Sequence, residues 1–120
     1  MSSIPLGWRR AVLVLALVTI FVLSLMPVPE GLQVFSWQDK VEHAGAFAML
    51  GLMAAFACLR PARLWVLGLL VYGALIELAQ STVPYRSADP ADWAADAIGV
   101  AIAVLVTRRW QASAADQQGK

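Results

Sequence analysis

The stretch LWVLGLLVYGALIELAQ, residues 64–80, decides the fold. A membrane helix needs about 20 mostly apolar residues, with about 17 as a practical minimum. This run reaches that length only with Glu77 inside it. Arg60-Pro61-Ala62-Arg63 precedes it and reads as a tight hairpin, with proline stopping one helix before the next begins. Upstream, residues 44–59 and 11–29 carry no charge, and downstream residues 97–107 follow Asp96. Extended to spanning length, these runs give four spans, at 8–27, 42–59, 64–80 and 92–109. The fourth takes Asp96 into the membrane as the third takes Glu77. The reading is an all-α bundle of four transmembrane helices over residues 1–110, with a short polar tail, expected to fray, over 111–120.

Composition supports this. The chain has 120 residues, room for one domain, of which 60% are hydrophobic and 14% charged. Soluble domains run nearer ~25% charged, and so small a globule needs more polar residues to cover its wet surface. A soluble domain, a disordered chain and a fibrous one are excluded. A net charge of +1 offers nucleic acid no basic field. The single Cys58 excludes a disulfide scaffold and cysteine-built zinc sites. The first stretch has the basic start of a signal peptide, Arg9 and Arg10. It is long for one, and Ser24-Leu25-Met26-Pro27 offers no cleavage site, so an uncleaved span is expected.

Alternating the spans puts Arg9, Arg10, Arg60, Arg63, Arg108, Arg109 and Lys120 on one side and leaves Lys40 and Arg86 for the other. The positive-inside rule then places both termini in the cytoplasm. Trp8, Trp37, Trp65, Trp93 and Trp110 all fall at span ends, as interfacial belts require. Ser36 or Asp39 can cap the second span. The segment from Val83 to Trp93, with Pro84 and Pro90, reads as an outer loop.

The polar residues inside the spans carry the functional reading. At ~1.5 Å per residue, Glu77 lies ~20 Å, Asp96 ~16 Å and His43 ~24 Å above the inner face. Buried charge in a bilayer faces a partner or a wet cavity. Asp39 and His43, Glu77 and Gln80, and Asp92 and Asp96 each share a helix face at i, i+3 or i+4 spacing. Gly45, Gly51, Gly73 and Gly99 are small enough to let the helices close around such a cavity. His43, Glu77 and Asp96 are the candidate acid–base residues. Asp39, Lys40, Gln80, Arg86 and Asp92 are candidate binding residues. Glu77 is expected to pair with Arg86 or His43. No cofactor is expected, and no serine or cysteine nucleophile signature is present. A divalent ion bridging Glu77, Asp96 and a phosphate is chemically open, without a strong metal motif to support it.

Asp39-Lys40-Val41-Glu42-His43, Ile76-Glu77-Leu78-Ala79-Gln80, Arg86-Ser87 and Asp92-Trp93-Ala94-Ala95-Asp96-Ala97-Ile98-Gly99 stand in this order. Together they resemble the VanZ-like family of small bacterial membrane proteins, whose pattern is approximately D-K-x-x-H, E-x-x-Q, R-S and D-x-x-x-N-x-x-G. Asp96 departs from it, where many members carry asparagine. The resemblance implies a multi-pass protein of the bacterial inner membrane acting at the cell envelope. The family's named member is associated with resistance to the glycopeptide teicoplanin.

Three functions of different class fit these residues. One is a site, enzymatic or not, for a lipid-linked or phosphorylated envelope molecule, with Lys40 and Arg86 on its anionic head. Another is a structural or partner-binding protein whose polar cluster only locks the helices. The third is a proton or ion pathway, against which stands the lack of any charged group in the inner half of the spans. The bilayer itself is the one partner that all three share.

Overall fold

The computed structural model describes residues 3–28, 31, 34–57, 61–86 and 88–119. Cys58, Arg60, Ser87 and Lys120, named above, lie outside the described residues. Four helices run in order: α1 Leu6–Leu25, α2 Gln38–Phe56, α3 Ala62–Gln80 and α4 Pro90–Gln118. Three of them, α1, α3 and α4, are long and apolar enough to cross a membrane. In α2 any window of spanning length includes Asp39, Lys40 and Glu42, which keeps it outside that class. The chain is thus an all-α, multi-pass membrane protein.

Several boundaries differ from the sequence reading for local reasons. Pro90, read as part of a loop, is the first residue of α4, where a missing N–H costs nothing. The Asp89 carboxylate caps this helix by accepting from the Ala91 N–H at 2.9 Å. Pro61 precedes α3 rather than ending α2, and Leu64 N–H donates to its carbonyl at 3.0 Å. Neither Ser36 nor Asp39 caps α2, whose N-terminal residue Trp37 makes no side-chain cap. The Gln38 side-chain oxygen instead accepts from Val34 N–H at 2.6 Å. The tail does not fray at Gln111, for α4 continues through it to Gln118. Its 29 residues span ~44 Å, longer than the ~30 Å hydrocarbon core.

Packing centres on α2, whose most extensive contact is with α4. The glycines explain this closeness. A β-carbon on Gly99 would strike the Ala44 carbonyl of α2, and one on Gly51 would strike Ala103 of α4. Gly73 of α3 lies against Phe47 and Asp96. Gly45, grouped with these by sequence, faces open space and brings no helices together. Phe47, Leu50 and Ala54 of α2 meet Trp65, Leu69 and Ile76 of α3 and Val100 and Ala103 of α4. Only Leu13 of α1 is buried with them. Trp65 is therefore a core residue, and not the interfacial anchor its position suggested. Trp8, Trp37, Trp93 and Trp110 remain exposed.

The outer surface is apolar on all four helices, from Leu15 and Val18 to Leu67, Leu78, Ile98 and Leu105. Among the described residues the buried polar ones are Gln80, Asp92 and Asp96. Apolar outside and carboxylate inside is the reverse of a soluble globule, and it suits a chain solvated by lipid.

Candidate functional site

The N-terminal ends of α2 and α4 meet, and Lys40 joins them. Its ammonium donates to Asp89 Oδ2 at 2.9 Å and Asp92 Oδ1 at 3.0 Å, with Asp39 Oδ2 at 3.8 Å. Lys40 holds the Asp89 carboxyl below the usual carboxylate range, aided by the Ala91 N–H. Asp89 caps α4 and Asp92 lies in its first turn, where the helix dipole also favours negative charge. Asp39 stays on the exposed side of this junction.

One turn further into α2, His43 Nδ1 hydrogen-bonds Asp96 Oδ1 at 2.8 Å. Its Nε2 lies 3.8 Å from Asp92 Oδ2. The i, i+4 spacing of Asp92 and Asp96 thus puts two carboxylates around one imidazole. The Asp96 side chain is 0% exposed, and its Oδ2, beside Gly73, has no hydrogen-bond partner. Glu77 enters from α3. Its Oε2 accepts from Asp89 N–H at 3.0 Å, while its buried Oε1 has no partner. One ligand atom from each of His43, Glu77 and Asp96 falls within 4.8 Å of the others. These three are the residues that could hold a metal ion. The His43–Asp96 pair could also move a proton, as imidazole–carboxylate dyads do.

Arg86 is placed differently from expectation. Its guanidinium donates to the Met26 carbonyl from Nε at 2.8 Å and to the Leu23 carbonyl from Nη2 at 3.0 Å. It makes no ion pair with Glu77. Gln80 donates to the Ser24 carbonyl at 2.9 Å, leaving a buried Oε1 without a partner. The C-terminal carbonyls of α1 recruit both side chains, because a helix end leaves such acceptors unsatisfied. Tyr72 donates to the Leu17 carbonyl at 2.5 Å.

Between α1, α2 and α3 opens a cleft of about 250 Å³. Ile20, Leu23, Phe47 and Ile76 form its apolar wall, and Glu42, His43, Gln80 and Arg86 its polar side. Glu77 and Asp96 lie behind His43 and do not line it, so the single shared cavity expected from helical depth is divided. The sequence reading missed Asp89 as a site residue, although Asp-Pro ahead of an apolar helix is a recognisable helix start. Glu42 was missed as well, and nothing in its spacing marks it.

A protein-family model described as VanZ/LLP1 matches residues 4–111. No curated protein and no solved structure matches the chain. The matched region runs from just before α1 to beyond the apolar part of α4 and contains every residue of the cluster. On that extent of agreement, the chain belongs to the VanZ/LLP1 family.

Proposed function

We propose that this chain is a bacterial inner-membrane protein whose site opens to the outside and takes a lipid-linked or phosphorylated molecule of the cell envelope. The position of His43 carries the reading. It lines the cleft and is bonded at 2.8 Å to the wholly buried Asp96 behind it. An apolar wall with polar groups on the other side suits an amphiphile, tail along Ile20, Leu23 and Ile76 and head toward His43. Within that pose His43 exchanges a proton with the ligand and Asp96 orients the ring. Lys40, saturated by aspartates, holds the outer ends of α2 and α4 together. Arg86 at the cleft's edge is the cation nearest an anionic head group.

The test is a deletion strain compared with strains restored by wild type, His43→Gln or Asp96→Asn, with envelope lipids and peptidoglycan precursors measured by mass spectrometry. One class of precursor should accumulate in the deletion strain and in both variants, at wild-type protein level. Unchanged precursors in the deletion strain would overturn the proposal. A second reading, a cluster that only locks helices, is favoured by the pairing of Lys40 with Asp89 and Asp92. It requires full rescue by both variants wherever they fold. A glycopeptide-resistance role is tested in the same strains by teicoplanin sensitivity.

A further inference from the structure

We infer that His43, Glu77 and Asp96 bind a divalent metal ion of the kind that accepts nitrogen as well as oxygen ligands, Zn²⁺ or Mn²⁺. The residues come from α2, α3 and α4, and one ligand atom from each lies within 4.8 Å of the others. Bonds of ~2.0–2.2 Å need donors no more than ~4.4 Å apart, which small side-chain rotations supply.

A second observation is independent of that clustering. Asp96 is 0% exposed, and its Oδ2 has no hydrogen-bond partner; Glu77 Oε1 is likewise buried without one. An orphaned carboxylate oxygen in an apolar bundle calls for a cation or a proton. The nearby cationic side chains are committed elsewhere, Lys40 to Asp89 and Asp92 and Arg86 to the carbonyls of α1.

Charge agrees, since two carboxylates and a neutral imidazole carry the −2 that a divalent ion balances. The imidazole selects against Mg²⁺ and Ca²⁺, which prefer all-oxygen shells. Supporting contacts are in place. Asp89 N–H fixes the other oxygen of Glu77 at 3.0 Å, and Asp92 Oδ2 stands 3.8 Å from His43 Nε2. Of the three residues, His43 alone lines the cleft. With the ion bound, His43 is a ligand and not a proton carrier, so the ion rather than the ring meets an anionic head group, and that role alone rests on the function proposed above.

The experiment reads the ion directly, so its outcome is separate from any failure of the envelope function. The full chain, purified in detergent with an affinity tag free of histidine, is stripped with EDTA. It is then reloaded with Zn²⁺, Mn²⁺, Mg²⁺ or Ca²⁺ in separate samples and measured by elemental analysis and thermal unfolding. One Zn²⁺ or Mn²⁺ per chain and a raised Tm are expected, with no comparable effect from Mg²⁺ or Ca²⁺. Glu77→Gln and Asp96→Asn should each weaken binding by more than about a hundredfold, beyond the ~10–100-fold that loss of a supporting residue costs. Asp116→Asn, on the exposed end of α4, should bind as wild type does. X-ray absorption on the wild-type zinc form covers the case in which the variants fail to fold. A shell of one imidazole with oxygens supports the site, and an all-oxygen shell overturns it. Absence of bound metal, or equal binding by wild type and folded variants, also overturns it, and the buried carboxyls then hold protons instead.

Discussion

Asp96 shows what one residue reveals before its partners are known. An acid in an apolar run must face inward, and helical spacing puts it on one face with Asp92. Which helix lies opposite is a matter of packing, and here the glycines decide. Gly99 lets α4 settle onto the Ala44 carbonyl, which sets Asp96 beside His43. Gly99→Ala therefore forces two backbones apart and should cost about 1–3 kcal/mol, the range for overpacking, seen as a lower Tm in detergent. Gly45→Ala, into open space, should leave Tm at or above the wild-type value. Residue type alone does not separate these two positions. The Lys40–Asp89 pair carries a prediction with a definite sign. The folded-state value of Asp89 is depressed, so its stabilisation is present above the ordinary value of 3.8 and is lost as pH falls through the lower one. Thermal unfolding against pH should therefore show Tm falling as pH drops below that range, and Lys40→Met should lower Tm above it and flatten the fall.

The element whose placement sequence reasoning served least well is α1. Charge matching offers Glu77 either Arg86 or His43, because a side-chain inventory omits the carbonyls left open at a helix end, which take Arg86. Four consecutive carbonyls of α1 are satisfied from α3 and the loop after it. Leu23 and Met26 accept from Arg86, Ser24 from Gln80 and Leu25 from Tyr85. The start of α1 returns the service. Arg9 donates to the Phe56 carbonyl at 3.2 Å and Arg10 to that of Ala57 at 3.4 Å, completing an α2 end that has no basic residue of its own. These ties matter because α1 buries only Leu13. Glu77 and Arg86 therefore belong to different networks. Their Gln substitutions should add to within about 0.5 kcal/mol in a double-mutant cycle on thermal stability. A coupling well above 1 kcal/mol would restore the direct pair. Arg86→Gln alone should loosen α1, read as faster disulfide cross-linking of cysteines placed at Leu15 and on a second copy of the chain.

At the scale of the molecule, the open matter is whether α2 crosses the membrane with the other three helices. By composition it does not qualify, since Asp39, Lys40 and Glu42 crowd its first turns. The bonds at its two ends argue that it crosses. Its start is joined through Lys40 to the start of α4, and its end through Arg9 and Arg10 to the start of α1. A helix fastened at both levels to neighbours of spanning length covers the same thickness, and 19 residues rise ~28 Å. Of its charges, Lys40 meets Asp89 and Asp92 rather than lipid, and Glu42 accepts from Gln38. The basic residues then complete the topology. Arg9, Arg10, Arg63, Arg108 and Arg109 fall at the end opposite Lys40 and Arg86, and the positive-inside rule predicts that this end is cytoplasmic. Reporter fusions truncated after Gly31 and Ala88 should accordingly read external, and those after Arg63 and Gly119 cytoplasmic. If α2 failed to cross, Arg63 would read external with Gly31, and every later fusion would invert. The two fusions on either side of α2 therefore decide the span count, and the one at Gly119 decides whether the His43 cleft faces the envelope.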